Sequence, residues 1–247
     1  MTLPLYLTDP GGLADAVVGG VVTLTGPEAR HAVTVRRTAA GERLQLADGQ
    51  GSLVVGVVES TGRDELTLRV DEVSSVPEPR PRFVLVQALA KNDRDDQAIE
   101  AATELGVDEV VPWQADRSIV QWRGERGEKA RRKWDQVLLA ATKQSRRARR
   151  PRLGDTVTTA QLAQRIATGA TAYVLHEEAT TALAAATLPA DGDVLVIVGP
   201  EGGISPTEVE TLIAAGATPA RLGTTVLRSS SAGPAALAVL NAMARWR

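Results

Sequence analysis

A glycine-dense segment at residues 199–203 has the residue types of a ligand-binding loop. Gly199, Gly202 and Gly203 leave the backbone bare between an apolar run and a helix start. Glycine permits unusual φ angles and lets a ligand approach peptide N–H and C=O groups closely. The segment therefore predicts backbone recognition of a small molecule. The alternative is a tight strand-to-helix turn that needs glycine only for its geometry.

The residues after this segment define the helix start. Ser205 suits the N-cap, Pro206 suits the first helical position, and Glu208 completes a capping box. No Gly-Lys-Ser/Thr follows the glycines, and the Gly-x-Gly-x-x-Gly pattern of dinucleotide-binding folds is missing. A nucleoside triphosphate or NAD is therefore not indicated as the ligand.

Positive charge is concentrated in one segment of a chain that is acidic on average. Residues 117–152 contain 13 Lys/Arg and three acidic residues, whereas the whole chain has a formal net charge of −2. Such a local excess suits a phosphate backbone, although a solvated face is the alternative. The arginines that we interpret as phosphate contacts are Arg36, Arg37, Arg146, Arg147, Arg149 and Arg150.

Composition excludes several kinds of site. The chain has no cysteine, so disulfides, thiolate nucleophiles and Cys-based zinc sites are excluded. His31 and His176 are too few for a His-rich centre, and we expect no metal. The start lacks a basic region followed by an apolar one, and no stretch approaches the roughly 20 apolar residues of a membrane span. We therefore expect a cytoplasmic protein without membrane association.

Two domains are expected from the change of pattern along the chain. Short alternating runs separated by glycine turns predict a small β-barrel domain at residues 1–75, with one helix at 26–37. The proline-rich stretch 74–81 is typical of an extended linker. The barrel strands are predicted at 21–24, 42–48, 52–60 and 65–73.

Residues 76–247 alternate apolar runs with helical patterns, which predicts an α/β domain with a largely parallel sheet. Its strands are predicted at 83–89, 108–113, 171–175, 193–198 and 220–222. Its helices are predicted over 95–107, through 134–141, from Ser205, and over 235–244.

The segment Gly199-Pro-Glu-Gly-Gly203 resembles a loop of SPOUT methyltransferases, and Leu222-Gly-Thr-Thr-Val-Leu-Arg228 resembles a second. Further upstream, residues 103–107, 117–120 and 144–147 resemble the RsmE family, the 16S rRNA uridine-N3 methyltransferases. The first domain, with His31 to Arg37, is similar to the PUA-like domain of that family. The chain departs from the family pattern at Ala101, Lys143 and Ser230, and no role is assigned to these residues.

The resemblance implies a C-terminal knotted SPOUT domain and an S-adenosylmethionine-dependent enzyme. The substrate would be N3 of a uridine in 16S rRNA of the small ribosomal subunit, uridine 1498 in the family's RNA numbering. A SPOUT methyltransferase acting on another RNA and a non-catalytic RNA-binding or ribosome assembly factor are the alternatives. The RNA contacts would be the six arginines above together with Arg117 and Gln144. The cofactor would be held by Leu175, His176, Glu177, Gly199, Pro200, Glu201, Gly202, Gly203, Ile204, Leu222, Gly223, Val226, Leu227 and Arg228.

Methyl transfer to N3 of uridine places negative charge on the base once the N3 proton is lost. Arg228 follows the second loop and keeps its charge, so we expect it to stabilise that anion; a helix-cap or ion-pair role is the alternative. Glu201 is the weaker candidate for accepting the proton, and it could instead hold the loop. His176, beside two glutamates, is not assigned as a base.

A homodimer is also implied by the resemblance. Leu237, Leu240 and Met243 recur at helical spacing in the last helix, and this apolar face is expected to be buried against the partner.

Overall fold

The structure is a computed structural model that describes residues 3–91 and 93–246. The chain divides into two compact units. The first contains the residues up to Glu78 together with residues 142–150, and the second contains residues 79–141 and those from 151 onwards. The boundary between residues 75 and 76 stays a prediction. The predicted second domain contained the basic segment 142–150, whereas the structure groups this segment with the first unit.

The first unit is built around a β-sheet whose described strands run in the order β1-β3-β4-β5-β2. The β1–β3 pair is parallel, and the other ladders are antiparallel. Register shifts in the β4–β5 ladder bend this sheet around an apolar core, as expected for a small barrel. The strands are β1 (Leu5–Leu7), β2 (Val21–Thr25), β3 (Arg43–Ala47), β4 (Ser52–Thr61) and β5 (Glu65–Ser75).

The helix predicted at 26–37 forms as α1 (Gly26–Arg30), which continues into a π-helical segment at His31–Val35. The four predicted strands of this unit are confirmed within a few residues. Strand β1 was not predicted, because three consecutive buried apolar residues show no alternation.

The second unit alternates strands and helices, as predicted. Its strands are β6 (Arg82–Ala88), β7 (Glu109–Gln114), β8 (Arg152–Leu153), β9 (Val157–Thr158), β10 (Thr171–Leu175), β11 (Asp193–Val198) and β12 (Thr218–Ala220). Its helices are α2 (Arg94–Glu104), α3 (Gly124–Gln144, whose last residues belong to the first unit), α4 (Thr159–Ala167), α5 (Pro206–Ala214) and α6 (Ser229–Ala244).

The sheet of the second unit has the order β12-β10-β11-β6-β7-β8, with β9 also pairing with β7. All its described ladders are parallel, which confirms the predicted α/β class. On β6, Phe83 and Leu85 enter one core, while Val84 and Val86 enter a second core on the opposite face. Burial on both faces explains why these strands are continuous apolar runs.

One predicted strand is displaced: the strand expected at 220–222 lies at 218–220. The last helix, predicted through residues 235–244, is confirmed and begins at Ser229. Gly233 and Pro234 look like helix breakers in the sequence. In the fold, Gly233 lies so close to β6 that an added Cβ would be 2.8 Å from Leu85 Cδ1. The glycine thus permits close packing of α6 on the sheet.

The apolar stripe on α6 is not an exposed face. Leu237 and Leu240 have no exposed surface and belong to the core of their own chain, and Met243 packs against the same core. The expectation that these residues form a dimer surface is therefore wrong. Within residues 3–91 and 93–246, no helix combines the length and hydropathy that crossing a membrane requires.

A buried ionic cluster lies at the amino ends of the parallel strands. Glu109, only 1% exposed, accepts hydrogen bonds from Arg152 (2.8 Å) and, through both oxygens, from Arg165 (3.0 and 3.1 Å). Arg82 also donates to Glu109, and Arg165 donates to Asp193 (2.7 Å). Burial alone raises the pKa of Glu109, but the hydrogen bonds from Arg165 and Arg152 outweigh it and lower its net pKa.

Replacing Glu109 by Gln is expected to lower the free energy of unfolding at pH 7 by about 2–3 kcal/mol, since Arg82 and Arg165 are only partly buried and Arg152 is exposed. Because the folded pKa is depressed, this stabilisation is present above the unfolded pKa of about 4.3 and is lost as the pH falls through the folded value. The difference between the wild type and Glu109→Gln should therefore shrink below about pH 4. Urea unfolding of both proteins, at pH 7 and below about pH 4, measures this difference in the free energy of unfolding.

The matched control is Glu210→Gln, which removes an exposed carboxylate from α5. It should unfold like the wild type at both pH values. If Glu109→Gln were also as stable as the wild type at pH 7, the cluster would contribute nothing to the fold.

Candidate active site

Loops from three neighbouring strands meet at the carboxyl edge of the parallel sheet. His176 and Glu177 follow β10, which ends at Leu175; Gly199–Ile204 follows β11, and Leu222–Arg228 follows β12. Together the three loops line two adjacent cavities, one of about 620 Å³ and a smaller one of about 210 Å³. Every residue that we predicted to hold the cofactor lines one of these cavities or both. The structure thus brings together residues separated by up to 53 positions in the sequence.

The turn geometry requires glycine at some positions of these loops and not at others. Gly203 has φ +73°, and a Cβ added at Gly199 would lie 2.6 Å from Ile204 Cγ1, so the turn itself requires both. Gly202 lies outside the left-handed region, and its Cβ would make an ordinary contact of 3.4 Å with Arg117. Gly223 is also outside that region, with nothing within 4 Å of an added Cβ. Turn geometry therefore does not explain Gly202 and Gly223, and this favours the ligand interpretation for these two.

The glycine loop is held from both sides by arginines. Glu201 Oε1 accepts hydrogen bonds from the backbone N–H of Lys91 (3.2 Å) and from Arg94 Nη1 (3.4 Å). On the other side, Arg117 Nη1 donates to the carbonyl oxygen of Gly202 (3.0 Å). Glu201 therefore takes the loop-holding role that the sequence left as an alternative.

Arg94 is a site residue that sequence reasoning missed. It is the first residue of α2, directly after the loop that leaves β6, and it lines the larger cavity with Arg117 and Arg228. The signal that could have indicated Arg94 was its position after β6. Because β6 is a parallel neighbour of β11, the carboxyl ends of both strands open to the same edge of the sheet. The partly buried ion pair of Arg94 with Glu201 ties the start of α2 to the glycine loop.

Arg228 occupies the N-cap of α6, and its carbonyl oxygen accepts the backbone N–H of Ser231 and of Ala232. Its side chain lines the larger cavity. The helix-cap alternative is thus realised by its backbone, without a cap hydrogen bond from its side chain. Within the described part of this chain, no carboxylate lies within salt-bridge distance of the guanidinium, and the alternative of an ion pair at an interface stays untested. His176 Nδ1 accepts the backbone N–H of Glu178 (3.2 Å), so this ring nitrogen is engaged within its own loop.

The predicted RNA contacts are distributed over both units. Arg117 lies in the second unit, and the others lie in the first. Arg36, Arg37, Gln144 and Arg146 are exposed. Arg147, Arg149 and Arg150 are partly buried, and Arg149 Nε donates to the carbonyl oxygen of Val76 (2.8 Å). Arg149 therefore has a structural contact within its own unit.

Comparison with known proteins gives two family matches. The RNA methyltransferase domain family matches residues 77–241, and the RNA methyltransferase PUA domain family matches residues 24–71. A Mycobacterium bovis protein named ribosomal RNA small subunit methyltransferase E is 45% identical over 92% of this chain and 89% of its own length. The chain belongs to the ribosomal RNA small subunit methyltransferase E family. The family expected from the residues, with its PUA-like first domain, is thereby confirmed.

Other similar proteins are more distant in sequence. A Bacillus subtilis protein, also named ribosomal RNA small subunit methyltransferase E, is 29% identical over 89% of both chains. A solved structure of a Legionella pneumophila protein, described as a methyltransferase in complex with the cofactor SAM, superposes with a TM-score of 0.84, at 27% identity and 98% coverage of both chains. The trefoil knot that the resemblance implies stays a prediction.

The difference between the glycines generates a test of cofactor binding. Gly223→Val adds a side chain in open space above the smaller cavity, without strain in the backbone. We expect its affinity for S-adenosylmethionine to fall at least about tenfold, or about 1.4 kcal/mol, with a nearly unchanged melting temperature. Calorimetric titration and a thermal melt of the same preparation measure both.

The control is Gly192→Ala. Gly192 lies at the opposite edge of the sheet with φ +87°, and no other atom lies within 4 Å of a Cβ added there. The strain should lower its stability by about 1 kcal/mol or more while the folded protein binds the cofactor normally. If Gly223→Val bound S-adenosylmethionine with wild-type affinity, the loop after β12 would not be part of the cofactor pocket.

Proposed function

We propose that this protein transfers a methyl group from S-adenosylmethionine to N3 of a uridine in 16S rRNA of the small ribosomal subunit. The observation that carries the proposal is the meeting of the three loops at one cavity-lined edge of the sheet. Its support from relatives is the 45% identity, over 92% of the chain, to a protein named for small-subunit rRNA methylation.

The lining of the cavities fits the proposed cofactor. Leu175, Ile204 and Leu227 supply apolar surface for a nucleoside, and the bare backbone at Gly202 and Gly223 permits a close approach. Glu177 and Glu178 bring negative charge to a site for a cationic ligand. S-adenosylmethionine, when bound, supplies an electrophilic methyl group.

The arginines at the cavity can stabilise the uridine anion. Loss of the N3 proton places charge on the flanking carbonyl oxygens of the base, where a fixed cation lowers the barrier. Arg228 is the candidate for this role, because it leads from the cofactor loop into α6 and keeps its charge at all working pH values. The amino end of α6 adds a favourable dipole at the same place.

Glu201 stays the candidate acceptor for the N3 proton. The contacts described within residues 3–91 and 93–246 engage its Oε1 only. Its Oε2 can therefore accept a proton while Oε1 continues to hold the loop against Lys91 and Arg94.

We also propose that the active form is a homodimer in the cytoplasm. Val226 and Leu227 are 77% and 40% exposed beside the cavities, which leaves apolar surface there for a partner subunit to cover. This surface replaces the α6 stripe as the candidate contact. Activity on another RNA and a purely RNA-binding role remain the competing functions.

The reaction is tested by mapping N3-methyluridine in 16S rRNA from cells that lack the protein, before and after incubation of their small subunits with it. We expect the wild type to restore the modified base. Arg228→Gln should lower kcat by about 10²–10³-fold, since an anion-stabilising charge is lost. Arg63→Gln, an exposed arginine outside the cavities, is the control.

Persistence of N3-methyluridine in the deficient cells, together with no transfer by the purified protein, would contradict the proposed reaction. Transfer to a different RNA alone would favour the competing enzyme, and RNA binding without cofactor binding would favour the non-catalytic factor.

A second prediction separates RNA contacts from structural arginines. Arg36 and Arg146 are exposed, so the double change to Ala should weaken RNA binding and reduce the slope of log K against log salt by about 0.7–0.9 for each lost phosphate contact. Arg149→Ala should instead lower stability and leave the slope unchanged, because its guanidinium holds Val76. An unchanged slope in Arg36→Ala/Arg146→Ala would show that this surface does not contact phosphates.

A further inference from the structure

Glu208 is a buried carboxylate that lines neither cavity, yet it connects the end of the glycine loop to the loop after β7. Its residue is 2% exposed, on the first turn of α5. Its Oε2 accepts the backbone N–H of Ser205 (3.1 Å) and lies 3.0 Å from Ser205 Oγ. These contacts complete the capping box that ends the glycine loop.

The second oxygen of Glu208 has partners that a capping box does not require. Glu208 Oε1 accepts the backbone N–H of Asp116 (2.9 Å) and the hydroxyl of Thr159 (2.8 Å). Asp116 lies in the loop after β7, and Thr159 is the first residue of α4. A single buried carboxylate therefore joins three elements, which makes its position strongly determined.

The contact with Asp116 matters because the next residue is Arg117. Asp116 and Arg117 lie inside a turn closed by the hydrogen bond from Ser118 N–H to the carbonyl oxygen of Ala115 (3.0 Å). From this turn, Arg117 reaches across to the carbonyl oxygen of Gly202. The contacts form a ring that runs from Glu208 through Asp116 and Arg117 to the glycine loop and returns through Ser205.

We propose that Glu208 is a positioning residue that acts through Arg117 on the RNA substrate. By fixing the backbone of Asp116, Glu208 holds Arg117 at the cavity mouth, where one N–H bonds Gly202 and the remaining N–H groups face an RNA phosphate. The exposure of Arg117 and its place in the cavity lining suit this contact. The inference rests on the proposed function for its RNA substrate.

A double-mutant cycle tests the link. Glu208→Gln cannot accept hydrogen bonds at both ends, so we expect the KM for small-subunit RNA to rise about five- to tenfold, with kcat and cofactor affinity nearly unchanged. Arg117→Ala should raise the KM similarly. If Glu208 acts through Arg117, the double variant should be no worse than Arg117→Ala alone.

The matched control is Gln161→Ala. It removes the equivalent capping box of α4, in which Gln161 pairs with Thr158 away from the glycine loop. The control should melt at a lower temperature and keep the wild-type KM for RNA. Glu208→Asp is a second variant that keeps a charge for the cap but is one methylene too short to hold Asp116 as well, and it should raise the KM even if Glu208→Gln does not fold.

The proposal would be overturned if the increases in KM of the two single variants multiplied in the double variant. It would also be overturned if Glu208→Asp left the KM for RNA unchanged. A loss confined to cofactor affinity would overturn it as well. If the wild type transfers no methyl group to the RNA, the proposed function fails by itself, and the same cycle is then measured on the dissociation constant for RNA.

Discussion

The parallel alignment of β12, β10, β11 and β6 is the constraint on which the rest of the structure depends. Because neighbouring strands run in the same direction, their carboxyl ends open to one edge, and the loops that leave them must meet there. The register places Tyr173 beside Val196 and Val196 beside Leu85, so the ends are nearly level. The binding loops gather at this edge, while the cluster around Glu109 secures the opposite one.

At the binding edge, the loops are held mainly by contacts to backbone atoms. Glu201 binds the N–H of Lys91, Arg117 binds the carbonyl oxygen of Gly202, and Glu208 binds the N–H of Asp116 and of Ser205. Such contacts fix the loop backbone while leaving glycine surface bare for a ligand. The arginines that line the larger cavity thus include two that support the glycine loop, in a chain whose net charge of −2 conceals this local concentration of positive charge.

The strongest elements were predictable because their physical signals are local. Strands 171–175 and 193–198 are apolar on both faces, and the start of α5 carries its own capping box. Arg94 and the second contact of Glu208 were missed, since each depends on the pairing of strands that are distant in sequence. Leu237 and Leu240 show a further limit: an apolar helical stripe looks the same whether it covers its own core or a partner.

We expect the loops after β10, β11 and β12 to form one cofactor pocket. A crystal structure of the wild-type protein, grown with saturating S-adenosylmethionine, would show whether they do. Electron density for the cofactor is expected between Leu175, Gly202 and Gly223, in contact with backbone atoms of all three loops. Density for the cofactor bound elsewhere, or in contact with only one of these loops, would contradict this expectation.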